Sequence, residues 1–594
     1  MAQNSRFFIH SVFSSLRFAS RRVAVIFIAI FIIMGLCVFS QAAVDIFDPL
    51  YEDIRIWEKR GLLNDLSSLR PYPLQEIERI LNIVIEKGTE KQIKKAQEYK
   101  KRLFGSIFHY GGMAELGIKV PKKQRDILLA PLLDMNISIH RLLTASAHAN
   151  SSLLNKLPKE EGLPAFQFSK RDIMEDSTSI GSFSLLPMFN SGVAVGTPEY
   201  YFTAGMARTS FGPFDENNIL IGEQAFHSGQ FIFVVNKEKF TYNQALLAIS
   251  ASDDRGKYLF PKKFTAAHSI TYRPLPWISV GLVDIVTYGG RFEPIYLLPL
   301  SVFFVGQSIY NFADASMLGL TIGIKPIDGL KIDTVLLADD IGFNEIVKFK
   351  KDAKWRMAGQ FGVSYAMPKD HWFSFADINY TLVTPYCYTS IHNNNRKEPN
   401  YENYTHNGEP LGSNLPPNSD RIKVKAQFRP LEGLAINVSN TFIRHANVTE
   451  SVYDPVIILK EYLKEGNYST DGSIFNHSAV VDTNSKRKHS FLYSTPFLTQ
   501  QTIQYINQLG LEGVVNLPIL KSGGSIQFKM GYTFEANINP GVNNHIYNEK
   551  IPESSLATEA QILNEANEQL KKWRENAKGK EFNHYFNIGV KISY

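Results

Sequence analysis

The chain has 594 residues, 63 Lys and Arg against 57 Asp and Glu, and a net charge of +6. So small an excess supplies no general basic field for nucleic acid. The length admits several ordinary domains or one large barrel with accessories, and 12% aromatic content suits a barrel with rings at two interfaces.

In chain order, the first signal is "VAVIFIAIFIIMGLCVFS", Val23 to Ser40, preceded by Arg17, Arg21 and Arg22 and followed by Ser40-Gln41-Ala42. The apolar run only touches the lower length limit of a spanning helix. Basic flank and small residues point to a signal peptide over 1–42, with an uncleaved anchor as the alternative. Cys37 follows the bulky Leu36, so it belongs to the apolar run and not to a lipoprotein site. Cleavage takes away four Arg and no acid, leaving 59 basic against 57 acidic residues and Cys387 as the remaining cysteine. An intramolecular disulfide and a Cys-based metal site are then excluded.

Three short helices follow. Asp48-Pro49 reads as an N-cap with Pro at N1, Leu50, Ile54 and Trp57 share a face, and Gly61 stops the helix. A second runs from about Pro73 through Ile77, Ile80 and Val84 to Gly88. Thr89 to Gln92 is a capping box for a third, with Ile93, Ala96, Tyr99 and Leu103 on one side. Residues 43–108 thus form a small helical domain, periplasmic in this reading and too small to stand alone with comfort. It must dock on something.

From about Gly111 onward the texture is strands of about ten residues. Tight polar turns fall at "NKEK" (236–239), "RPLP" (273–276), "KPIDG" (325–329), "MPKD" (367–370), "RPLEG" (429–433) and "LKSGG" (520–524). Long connections separate them, at 210–228, 289–313, 339–354, 384–420, 445–502 and 537–580. Sorting of loops by length predicts an outer-membrane barrel, with short turns in the periplasm and long loops outside. The expected fold is all-β, about 18 antiparallel strands over 109–594, with pairings ambiguous between 121 and 200. "HYFNIGVKISY" alternates Phe586, Ile588, Val590, Ile592 and Tyr594 with polar or small residues, as a closing strand recognised by the barrel assembly machinery would. Within the last loop, Leu556, Leu563 and Leu570 recur at seven, and acids lead while bases trail, so 554–578 reads as a helical insert.

"AAHSITYRPLPWISVGLVDIVTYGG" (266–290), "YLLPL" (296–300), "LLADDIG" (336–342), "ARTSFGPFDENNILIGEQA" (207–225) and "DPLYEDIRIWEKRGLLNDL" (48–66) together resemble the capsule assembly Wzi family of outer-membrane proteins. The resemblance spans about residues 45–370. It implies an 18-stranded barrel, a periplasmic helical bundle and loops that hold surface polysaccharide.

Lys348, Lys350, Lys351, Lys354 and Arg356 concentrate charge on one long loop, where they would attract an acidic glycan; a solvated loop tip is the plainer reading. Tyr401 and Tyr404 would stack on sugars. Asp339-Asp340 points to opposite faces of a strand, which disfavours a shared metal or acid–base site. His268 reads as a wall or lumen residue, and Trp277 and Trp372 as interfacial girdle. No cofactor, metal or enzymatic motif is expected. The readings carried forward are a non-enzymatic mount for surface polysaccharide, a porin or solute-specific channel, and a surface adhesin, each set in outer-membrane lipid.

Overall fold

The computed structural model describes residues 44–593, apart from 123, 141, 156–163, 165–177, 181–182, 226, 251–262, 311, 313, 340–355, 390–400, 452–467, 470–473, 475–476, 479–496, 519–523 and 547–557. Residues 1–42 and Tyr594, the subjects of the signal-peptide and assembly-signal expectations, lie outside these.

The helices form where local chemistry asks for them. α1 (Pro49–Lys59) starts at Asp48, whose carboxylate accepts from the Leu50 N–H at 2.9 Å. It stops before Gly61, which sits at φ +81°. α2 (Leu74–Lys87) ends at Gly88, and α3 (Glu90–Phe104) opens with the reciprocal Thr89–Gln92 capping box. Their apolar faces meet in one core of Leu50, Ile54, Trp57, Ile77, Val84, Ala96 and Leu103.

Eighteen antiparallel strands then close into a barrel, from Phe108–Val120 to Lys580–Ser593. The two pair directly, with Gly111 opposite Ser593 and Val120 opposite His584. Closure leaves no free edge, which is the condition for a sheet to cross lipid. Among the described residues no helix is long and apolar enough to do so. Of the six tight turns anticipated above, the five among the described residues lie at one end, and the strand ends that lead into the long connections lie at the other. The first hairpin is an exception: Lys119 pairs with Gln124, so a tight turn at Pro121 falls at the long-loop end. That register leaves no residues for a loop.

The alternation of side chains is that of a barrel in lipid. Leu282, Leu509, Met530 and Ile588 point outward and are exposed. Tyr110, Tyr272, Trp277 and Trp372 ring the short-turn end, with Trp372 stacked on Phe428 at 5.5 Å. These are the interfacial rings of an outer-membrane barrel.

Candidate functional site

The interior is filled from both ends. From the long-loop end, residues 208–227 fold into the lumen and carry their own hydrogen bonds. Arg208 donates to the carbonyls of Glu223, Gln224 and Ala225, at 3.1, 3.3 and 2.6 Å. It thereby ties the two stems of the loop together. The buried Glu223 carboxylate accepts from Ser210 Oγ (2.7 Å), Asn218 Nδ2 (2.8 Å) and the Asn217 N–H (2.8 Å). Gly212, at φ +145°, faces Asn218 Oδ1 so closely that a Cβ there would lie 2.1 Å away. Phe214 enters the space over Gly362, where a Cβ would come within 2.6 Å of its ring. Phe211, Ile219, Leu220 and Ile221 fill the centre against wall residues Val234, Leu247, Ile285 and Leu337.

A second loop, through its residues 384–389 and 401–418, rivets this one from above. Tyr388 and Tyr404 stack at 5.6 Å, and their hydroxyls donate to the carbonyls of Ile219 (2.9 Å) and Leu220 (2.6 Å). Gln224 Nε2 donates to the Pro410 carbonyl at 2.9 Å. Asp339 accepts from the Tyr388 N–H at 2.6 Å, which gives this carboxylate a structural task.

From the short-turn end the helical segment plugs the barrel, and charge holds it. Glu58 faces Arg55 (3.0 Å), Lys331 (3.1 Å) and Lys325 (3.8 Å). Burial alone would raise the Glu58 pKa, but these three cations outweigh it and hold the value well below the ordinary carboxylate range. Asp53 binds Arg429 at 2.9 Å and accepts from Tyr99 Oη at 2.6 Å. The two plugs meet in mid-lumen. Leu69 and Arg70 pair with Phe211 and Ser210 as a two-residue sheet, and Lys59 reaches Asp215 at 3.2 Å. A cavity of about 90 Å³ remains beside the junction, lined by Asn243, Thr271, Lys331 and Asp333. That is room for a few waters.

Of the residues singled out for binding, three fall among the described residues. Lys348, Lys350, Lys351 and Lys354 lie outside the described residues. Arg356 and Tyr404 are only 2% and 1% exposed, inside the packed loops. The ring of Tyr401 lies over Gly289. His268 sits on the outer wall, one of the two placements anticipated. Among the described residues no group of three or more His, Cys, Asp or Glu could hold a metal ion. Arg421, Lys423, Lys425 and Arg429 form a basic stripe on the lumen face, where Lys423, Lys425 and Arg429 pair with Glu216, Glu52 and Asp53 and Arg421 donates to Asn414 Oδ1 at 2.8 Å. Its signal was present in "RIKVKAQFR", a period of two with charge on one face.

A closed 18-stranded barrel with an aromatic ring and a filled lumen defines the class: this is an outer-membrane β-barrel. Its fold is shared with Wzi of Escherichia coli, described as an outer-membrane, carbohydrate-binding β-barrel involved in group 1 capsule assembly. The two are 12% identical, over 93% of this chain and 99% of that one, with a TM-score of 0.50. OccAB2 of Acinetobacter baumannii (10% identity, 82% and 97% coverage, TM-score 0.40) and OprD of Pseudomonas aeruginosa (10%, 82% and 93%, 0.38) also align. No protein-family model matches the sequence, and no curated protein does.

Proposed function

We propose that the protein is a non-enzymatic mount for a surface polysaccharide at the long-loop face of the outer membrane. The observation that carries this reading is the double plug. A conduit for solutes has no use for a lumen whose centre is packed with Phe211, Phe214, Ile219 and Leu220. A rigid platform does. Lys348, Lys350, Lys351 and Lys354 would supply weak, repeated contacts to an acidic polymer, and a polymer offers the multivalency that makes such contacts add. Arg356, Tyr401 and Tyr404 would support that surface from beneath. The likeness to a carbohydrate-binding barrel favours the same reading.

The test is retention of polymer on cells. With the four lysines changed to Ala, cell-bound acidic polysaccharide should fall and polymer in the medium rise, while barrel folding on heat-modifiability gels stays unchanged. Retention that ignores both this variant and added salt would overturn the loop-lysine mechanism. A solute-specific channel is the second reading, favoured by polar wall residues such as Glu512, Lys529 and Asn587 that keep some exposure to the lumen.

A further inference from the structure

Three neighbouring strands, Phe240–Ile249, Lys263–Leu275 and Ile278–Gly289, carry a row of polar residues on the wrong face for a membrane. Ala245, Leu247, Ala267, Val283 and Ile285 point into the lumen core. The alternate residues therefore point outward, and among them Gln244, His268 and Asp284 stand side by side in register. An amide, an imidazole and a carboxylate on a lipid-facing wall are costly unless something of the protein's own covers them.

Segment 290–314 does so. It leaves the barrel at Gly290, φ +74°, and lies down the outside of the wall, where it forms α4 (Phe303–Tyr310). Tyr296 and Phe303 pack into Leu246, Ala266, Val286 and Tyr288. Two members of the polar row, Asp284 and Gln244, bond to the backbone of the segment. Asp284 accepts from the Phe303 N–H at 2.7 Å, Gln244 donates to the Tyr296 carbonyl at 3.2 Å, and Tyr242 Oη accepts from the Leu300 N–H at 3.2 Å. The Phe303 ring lies 4.1 Å from that of His268. At the top, Arg291 grips Asp314 with two bonds of 3.1 and 2.6 Å, and Tyr296 Oη joins it at 2.7 Å.

Depth follows from the register. Tyr242 is level with Ile270 and Leu282, seven residues below Gly289. At about 3.3 Å per residue and a tilt of about 40°, Leu300 lies roughly 18 Å beneath the rim, well into an apolar band about 25 Å tall. From Pro294 to Tyr310 there is no charged residue. The outer side of the segment is apolar and bare: Leu300 is 71% exposed and Ile309 69%, with Leu298, Val302 and Val305 beside them. This face continues the wall's own exposed Ile270 and Leu282. Inside the segment, N–H groups of Leu298, Ser301, Gly306 and Phe312 find carbonyls, as irregular backbone at membrane depth must.

We propose that Pro294–Tyr310 is sunk in the apolar band of the membrane as a clasp on the outside of the barrel, its bare face seated against lipid acyl chains. The segment is then an anchoring surface and not a solvent-exposed loop. Nitroxide labels on Leu300→Cys and Ile309→Cys, with the protein in lipid bilayers, test this by power saturation against oxygen and a water-soluble nickel chelate. Ile588→Cys gives the lipid reference and Lys122→Cys the aqueous one. Expected is high oxygen and low nickel access at 300 and 309, matching 588. Nickel access like that at 122 would overturn the proposal, and so would low access to both reagents, which would mean a second protein covers the face. Each variant is first shown to keep the heat-modifiable barrel, and the two positions serve as independent readings should one not fold.

Discussion

Much of the lumen plug depends on single side chains that its amino-acid composition alone does not advertise. Arg208 satisfies three carbonyls at once, and a bond from a charged donor contributes about 1.5–3 kcal/mol. Arg208→Ala should therefore open the 208–227 loop by about 3 kcal/mol, or roughly 100-fold in population. Amide hydrogen exchange within the loop reads this directly, and protection unchanged from the wild type would contradict the latch. Gly362 is a second such point, because Phe214 occupies the place of its missing side chain. Gly362→Leu should expel the ring and leave the strand pairing intact, seen as increased protease cleavage between 208 and 227 in a barrel that still shifts on heating. Neither role was legible in advance. Latch and wall glycine take meaning only from partners that the fold delivers.

The helices belong to the next scale, and here local sequence sufficed. Asp48, the Thr89–Gln92 box, Gly61 and Gly88 marked the helix limits, because caps are satisfied by neighbours within three or four residues. What the helices dock on is set by ion pairs that span the whole chain. That docking should depend on acid. Glu58 has a folded pKa depressed well below its ordinary 4.5. Asp53 and Asp215 are held below 3.8, because Arg429 and Lys59, each with further cations, outweigh the effect of burial. Groups with depressed values stabilise fully above their unfolded pKa and lose that contribution as pH falls toward the folded one. The plug should stay seated from neutral pH down to about 4.5 and loosen progressively below it. Emission from the buried Trp57 would report the release, and a flat signal down to pH 3 would contradict it. The insert α5 (Glu559–Ala577) begins at its own Thr558–Gln561 capping box. The expected start at 554 falls outside the described residues. It docks beside the mouth, with Trp573 Nε1 on the Asn544 carbonyl (2.9 Å) and Arg574 on Glu450 (2.6 Å). Its removal should leave conductance unchanged.

For the molecule as a whole, the packed centre predicts electrical silence. Single-channel recordings of the intact protein should show no steady open level, whereas replacing 209–222 with a short Gly-Ser bridge should produce one. A large conductance in the intact barrel would promote the channel reading instead. The architecture itself was readable because turn length and a period of two are local patterns that recur along the chain. The filling was not, since alternation tells which residues face inward and nothing of what meets them there. The first hairpin shows the same limit, its outer turn being a matter of register. The seating of the helical plug also imposes a timetable. Asp53 and its clamp Arg429 lie 376 positions apart in sequence, while Lys331 comes 273 after Glu58. Contacts so distant form late. The helical segment gains these distant partners only once three-quarters of the wall is in place, so that a barrel abandoned midway keeps an unlocked interior and only a completed one is shut from within.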